Sequence, residues 1–198
     1  MDLNYKVEYL FPSCVHILTI KDYESIKDEL IGRVYEENNG DVVGNQRSNR
    51  EGWQSKTINS LDDNVYSTIV DVISESMPVL KRDISFNMQC WYNINKKGSY
   101  NIKHNHPDSH LSGVLWLKAP SNCGNIVFES PHNFSSYVEI KSYSEEFLND
   151  SACGCSHHYE PIEGKVLIFP SSLYHKVEPN KSDEDRISTS FNIKLINK

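Results

Sequence analysis

The chain has 198 residues, 38% of them hydrophobic and 24% charged, which is enough apolar content for a buried core and excludes an intrinsically disordered polymer. A net charge of -7 argues against a nucleic-acid backbone binder, which needs a basic surface. No apolar run approaches the roughly 20 residues of a bilayer span. Residues 1–6 lack the basic start and apolar stretch of a signal peptide, and the five cysteines, Cys14, Cys90, Cys123, Cys153 and Cys155, are an odd set that predicts reduced thiols. The expected location is therefore the cytoplasm, with no membrane and no nucleic-acid partner.

Taken in chain order, residues 7–11 form an apolar segment closed by Pro12, and 15–20 reads as a short strand. Asp22 stands where a helix N-cap belongs. Tyr23, Ile26, Leu30 and Val34 follow at helical spacing, and Asn39-Gly40 ends the pattern. Residues 38–63 are polar and contain Gly52-Trp53-Gln54-Ser55. A second helix is predicted from the stripe Val65, Ile69, Ile73, Met77 and Leu80, a stripe that reads as core packing.

From residue 84 the period changes to two. Ile84, Phe86, Met88, Cys90, Tyr92 and Ile94 alternate with Ser85, Asn87, Gln89, Trp91 and Asn93, which predicts a long, half-buried strand. Lys96-Lys97-Gly98 turns the chain. Further strands are predicted at 100–106, 111–118, 125–129, 165–169 and 187–195, with an irregular stretch at 132–160 that holds a short helical turn near 143–148. Helices followed by many short strands predict a mainly β domain with two or more helices packed outside it. Sandwich, barrel and jelly roll all satisfy the pattern; a jelly roll suits a chain that gathers polar groups from distant strands into one mouth.

Three histidines stand close together in Lys103-His104-Asn105-His106-Pro107-Asp108-Ser109-His110. On a strand, residues i and i+2 share a face, so His104 and His106 can address one metal ion. His106 and Asp108 have the same spacing across Pro107. His175 lies far along the chain. A two-residue-spaced pair with one remote histidine provides the three-ligand face of a non-haem Fe(II) centre, leaving the other positions open. Arg186 follows His175 by eleven positions, about a turn and the start of a neighbouring strand. Its guanidinium suits a carboxylate held by two parallel hydrogen bonds. Alternation puts the Ser188 hydroxyl on the same face.

These stretches resemble the 2-oxoglutarate/Fe(II)-dependent oxygenases, and more narrowly the group of such oxygenases found in bacteria and marine phages. The similarity lies in Gly52-Trp53-Gln54-Ser55, Gly98, His104-Asn105-His106-Pro107, Leu111-Ser112-Gly113-Val114-Leu115-Trp116-Leu117 and Gly124-Asn125-Ile126-Val127-Phe128. It continues in Gly164-Lys165-Val166-Leu167-Ile168-Phe169-Pro170-Ser171, His175-Lys176-Val177, Arg186-Ile187-Ser188 and Phe191-Asn192. Each motif is weak alone; their order over most of 84–195 is specific.

The resemblance implies a double-stranded β-helix, a cupin-like jelly roll. It implies one domain over 1–198, in which 1–83 supports a core at 84–198. It also implies Fe(II) and 2-oxoglutarate as cofactors, with ascorbate as a reductant. The chemistry is oxidative decarboxylation to succinate and carbon dioxide, yielding an oxidant that removes a hydrogen atom from a bound substrate, most often ending in hydroxylation. No catalytic group is implied beyond the metal ligands. His175 matches the distal ligand, and Arg186 with Ser188 matches the cosubstrate clamp. The first two ligands are His104 and His106, or one of them with Asp108 in place of the other. A phage-encoded chain would work in the host cytoplasm, and a homodimer is compatible with the sequence.

Other groups have plainer readings. Cys153, Cys155, His157 and His158 are too cramped for the usual zinc ligand pairs. His110 is structural or substrate-facing. Trp53, Gln54, Trp91 and Trp116 either line the substrate side of the mouth or fill the scaffold. Two rival functions stand beside the oxygenase: a non-catalytic jelly-roll binding module, and a three-histidine metal enzyme that does not use 2-oxoglutarate. A guanidinium buried near the metal separates them from it.

Overall fold

The fold follows the two periods read from the sequence. In this computed structural model, residues 6, 8, 12–76, 84–132, 142–151 and 154–197 are described. The segment expected at 7–11 (Glu8 apart), Met77 and Leu80 of the second apolar stripe, and Cys153 lie outside the described residues.

Strand β1 (His16–Thr19) leads through a 3-10 turn (Tyr23–Ser25) into helix α1 (Lys27–Gly40). Two very short strands follow, β2 (Asn49–Arg50) and β3 (Trp53–Gln54), and then helix α2 (Asn64–Ser76). Next come β4 (Ile84–Asn95), β5 (Tyr100–His104), β6 (Leu111–Lys118) and β7 (Ile126–Glu129). Helix α3 (Glu145–Ser151), β8 (Ser156–Tyr159), β9 (Lys165–Pro170), β10 (His175–Val177) and β11 (Arg186–Asn197) complete the chain.

Asp22 does not cap α1 as its position suggests. It adopts a left-handed backbone (φ 53°), makes no side-chain cap, and its carbonyl accepts from both the amide (2.9 Å) and the hydroxyl (2.7 Å) of Ser25. The turn sets Tyr23 into the core, where its hydroxyl donates to the Leu117 carbonyl at 2.8 Å.

The strands form two antiparallel sheets. The larger runs β1-β9-β6-β11-β4-β3 and the smaller β2-β5-β10-β7-β8. From β4 onward the chain crosses between sheets at almost every connection, which is the jelly-roll winding of a double-stranded β-helix. Alternation then decides what each face of the larger sheet meets. One face presents Met88, Cys90, Ile94, Leu115, Leu117, Val166, Ile168, Ile187, Phe191 and Ile193 to Leu30 and Val34 of α1 and to Val65, Ile69 and Ile73 of α2. Each fully buried Leu, Ile or Val there contributes roughly 1.5–3 kcal/mol. The other face presents Val114, Trp116, Leu167 and Phe169 to Ile126 and Phe128 of the smaller sheet.

Gly113 is needed where β6 passes β11, because a Cβ there would lie 2.2 Å from Phe191 Cζ and 2.6 Å from the Leu167 carbonyl oxygen.

Asp63 joins the helical layer to the sheet. It is 7% exposed and caps α2 by accepting from the Tyr66 amide at 3.0 Å. It also accepts from the Tyr92 hydroxyl at 2.5 Å and from Arg33 Nε at 2.9 Å.

The long strand β4 is half-buried in its first part, where Asn87 and Gln89 are exposed, and covered on both sides in its second, where Asn93 at 5% and Asn95 at 2% exposed line a cavity between the two sheets.

Candidate metal centre

His104 ends β5 and His175 opens β10, and the two residues pair directly across the smaller sheet. A register shift accompanies them: the two steps from His175 to Val177 face the three from His104 to Asn101. The extra residue on β5 is a bulge, and it turns both Asn101 and His104 toward the cavity although they are three apart. His106 arrives differently. The strand has already ended, so a loop and not strand alternation carries its ring inward. That loop is fixed by His106 N–H to the Ser171 carbonyl at 2.8 Å, Ser171 N–H to the His110 carbonyl at 3.1 Å, and His110 N–H to the Ile193 carbonyl at 3.0 Å. His110 is structural: its Nδ1 accepts from the Leu195 amide at 2.9 Å.

One ligand nitrogen from each of His104, His106 and His175 lies within 4.8 Å of the other two. Ring centroids are 4.3 Å apart for His104–His175, 5.0 Å for His104–His106 and 5.3 Å for His106–His175. Nδ1 of His104 meets the Ile102 carbonyl at 2.8 Å, and Nδ1 of His175 meets the Leu173 carbonyl at 3.0 Å. A carbonyl only accepts, so both Nδ1 atoms carry the proton and both Nε2 lone pairs are free for a metal. Asp108 is exposed and is not part of this convergence, and no other such cluster occurs among the described residues.

Burial keeps all three imidazoles neutral. It lowers the pKa of His104 below the ordinary value, that of His106 to about 4 and that of His175 to about 3, with the neighbouring imidazoles adding to the last two. Neutral nitrogen donors on one side of an ion suit a divalent transition metal. In the metal-free protein these groups bind protons less readily than in the unfolded chain. The unfolded state therefore takes up more protons between about pH 6.5 and pH 3, and stability falls as the pH drops through that window. Urea melts of metal-free protein at pH 7.5 and 5.0 are expected to show the lower midpoint at pH 5.0; equal midpoints would contradict the burial of these rings.

Arg186, at the start of β11, is 1% exposed and lines the same cavity. Its Nη1 donates to the carbonyls of Cys123, Glu178 (3.2 Å) and Gly124 (3.3 Å). Its Nη2 is buried with no partner among the described residues. Burial lowers its pKa to about 10, so it remains charged at neutral pH. Ser188 is 7% exposed and lies two residues along, on the cavity side.

Trp91 and Trp116 line the cavity, and the Trp91 ring centroid is 5.9 Å from that of His106. Of the pair on β3, only Gln54 lines it. Adjacent strand residues face opposite ways. Trp53 is therefore turned to the helical core, with Nε1 donating to the Asp41 carbonyl at 2.7 Å, which corrects the expectation that it faces substrate. The cavity-lining residues Asn45, Arg47, Gln89, Asn95 and Asn101 carry no motif in the sequence. Only the polar phase of β4 could have pointed to Gln89 and Asn95.

The family model described as "Putative 2OG-Fe(II) oxygenase" matches residues 89–192. No curated protein matches by sequence. Among solved structures, a prolyl-4-hydroxylase of Pseudomonas putida is similar at 14% identity, with 91% of each chain covered and a TM-score of 0.63. A Trichoplax adhaerens prolyl hydroxylase in complex with a hypoxia inducible factor peptide fragment is similar at 15% identity, covering 91% of this chain and 83% of that one, with a TM-score of 0.63. HygX from Streptomyces hygroscopicus, with nickel and 2-oxoglutarate bound, reaches a TM-score of 0.56 at 14% identity and 92% and 82% coverage. Those likenesses are of fold. The family match spans more than half of the chain and includes all three histidines, Arg186 and Ser188, and by it this protein belongs to the 2OG-Fe(II) oxygenase family, oxidoreductases whose cofactors are Fe(II) and 2-oxoglutarate.

Proposed function

We propose that this chain hydroxylates a bound substrate with release of succinate and carbon dioxide, using His104, His106 and His175 as iron ligands and Arg186 with Ser188 as the cosubstrate clamp. The observation that carries the reading is Arg186, a buried guanidinium that lines the cavity holding the three imidazoles and whose Nη2 has no partner among the described residues. A buried, unpaired donor costs several kcal/mol less once an anionic oxygen accepts from it. A binding module has no need of a buried guanidinium there, and a three-histidine enzyme without 2-oxoglutarate would point it at a different substrate carboxylate, an alternative that the 2-oxoglutarate titration below distinguishes.

Held by these residues, Fe(II) with 2-oxoglutarate would supply activation of dioxygen, the oxidant that takes two electrons from 2-oxoglutarate and two from the substrate C–H bond. The protein's own groups do the positioning. The Ile102 and Leu173 carbonyls hold two imidazoles in the tautomer that frees Nε2. Arg186 anchors the distal carboxylate, the Ser188 hydroxyl donates beside it, and Trp116 and Phe169 keep water from the floor of the cavity. We read 1–198 as one domain, because Leu30, Val34 and Ile69 share a single core with Ile94, Leu115 and Ile193. We place the protein in the cytoplasm, a reading supported by Cys14, Cys90, Cys123 and Cys155 being free thiols.

The test is metal stoichiometry. Anaerobically purified protein is expected to bind one Fe(II) and to develop the visible charge-transfer band of the chelate when 2-oxoglutarate is added. With iron, ascorbate and oxygen it should form succinate. His104→Ala, His106→Ala and His175→Ala are each expected to weaken iron binding at least about a hundredfold, while Asp108→Ala leaves it unchanged. Loss of iron in the Asp108 variant would replace the three-histidine set with a carboxylate-containing one.

A further inference from the structure

The cavity is larger and more selective in its lining than the metal and cosubstrate require. It has a volume of about 550 Å³, in the range of small-molecule sites. The protein carries 27 Asp and Glu residues. None of those described lines this cavity, whose walls beyond the imidazoles and Arg186 carry neutral amides and hydroxyls, with Trp91 among them. Gln54 and Gln89 make no side-chain hydrogen bond to a described residue, and Gln54 is only 8% exposed, so a buried amide is aimed into the space with nothing to bind. Arg47, in the loop before β2, lines the cavity with an exposed guanidinium that forms no ion pair among the described residues.

Charge counting points the same way, and here the inference rests on the three-histidine reading above. Three imidazoles bring no charge to the iron, whereas a set containing a carboxylate brings one negative charge. The two carboxylates of 2-oxoglutarate offset two of the four positive charges of Fe(II), Arg186 and Arg47, and no described acidic side chain lines the cavity to offset the other two. A cleft lined by charge of one sign favours an anion and repels a cation, even in a protein of net charge -7. Free amides donate and accept, so they suit hydroxyl or amide groups on the same molecule.

We infer that the outer part of this cavity, walled by Gln54, Gln89 and Trp91 and guarded by Arg47, takes a small, hydroxyl- or amide-rich substrate that bears an anionic group. Trp91, beside His106, forms the flat wall against which the carbon skeleton rests. Arg47 is a binding residue at the mouth and Gln54 and Gln89 fix orientation.

A matched set of probes tests this: gluconate, sorbitol and glucamine, one polyol skeleton ending in a carboxylate, an alcohol or an ammonium group. Each is titrated by calorimetry, without oxygen, into protein loaded with Fe(II) and 2-oxoglutarate. Gluconate is expected to bind at least about tenfold more tightly than glucamine, the size of one charge-assisted hydrogen bond. Arg47→Glu is expected to reverse that order without altering 2-oxoglutarate affinity, and Gln54→Ala to weaken gluconate and sorbitol alike. The inference is overturned if glucamine binds as well as gluconate, if none of the three binds, or if Arg47→Glu weakens 2-oxoglutarate by the same factor, which would make Arg47 part of the cosubstrate clamp. Each of these outcomes is read on protein that has already bound iron and 2-oxoglutarate. A failure to load them counts instead against the oxygenase reading.

Discussion

Arg186→Ala is expected to lower 2-oxoglutarate affinity by about a hundredfold while Fe(II) still binds at one ion per chain. Truncating one partner of a buried, hydrogen-bonded charge pair costs about 2–5 kcal/mol, and each 1.4 kcal/mol is a factor of ten. The guanidinium meets those conditions: it is 1% exposed, its Nη2 is otherwise unpartnered, and it lies on β11, away from the histidine-bearing strands. Alanine also strips the carbonyls of Cys123, Gly124 and Glu178 of their donor, so the variant will be less stable. Arg186→Lys guards against confusing the two effects. It keeps the charge but loses the planar fork, and should fall between the wild type and the alanine variant. Calorimetry with iron-loaded protein reads both. Wild-type affinity in the alanine variant, or parallel loss of iron, would make Arg186 a scaffold residue.

Asp63→Ala is expected to cost about 3 kcal/mol in urea unfolding, because the buried carboxylate serves three donors at once. It removes an N-cap, worth about 1 kcal/mol, and leaves the Tyr92 hydroxyl buried without an acceptor, at about 1–3 kcal/mol. Arg33 loses a partner as well, though it keeps Glu37 at 2.8 Å. Tyr92→Phe should cost less, and the double variant should cost less than the sum of the two because both remove the same bond. A loss under about 0.5 kcal/mol, typical of surface substitutions, would show that Asp63 does not clamp α2 to the sheet.

The sequence displayed the scaffold through period. The apolar spacing of Leu30 and Val34, and of Val65, Ile69 and Ile73, predicted two helices packed on a β core, and those residues now lie together against the larger sheet. The strand period of 84–95 was equally clear, but its meaning was not. A half-buried strand places Gln89 and Asn93 on its polar face, and that face lines a cavity, with Gln89 exposed and Asn93 buried. Alternation reports that the two faces differ; it does not report whether the polar face meets water or an enclosed site. Strands β8 and β10 escaped notice for other reasons. Ser156-His157-His158-Tyr159 is a polar, exposed edge with no alternation, and β10 has only three residues.

Among the site residues, His104, His106 and His175 stood out by type and spacing. The route by which they meet did not follow from spacing: a bulge turns His104 inward and a loop carries His106. The same alternation rule that gave the strands excludes Trp53 once Gln54 faces the cavity, since neighbours on a strand cannot share a side. Arg47 and Gln54 belong to a polar segment with no periodicity, and only tertiary placement brings them to the cavity.

The three imidazoles all come from β5, β10 and the loop after β5, on the smaller sheet, whereas Arg186 and Ser188 come from β11 of the larger one. On the proposed assignment of ligands and clamp, the cosubstrate reaches from one slab to the other. The thickness of the aromatic filling between them, Trp116, Phe128 and Phe169, works as a gauge block that sets the jaw opening of a calliper. Phe169 and Phe128 touch each other, with centroids 4.8 Å apart, and both touch His175, at 4.9 and 5.7 Å. On that assignment, which dicarboxylate fits is decided partly by a filling that bonds to neither carboxylate, and the bite can be widened or narrowed without altering any polar group that binds.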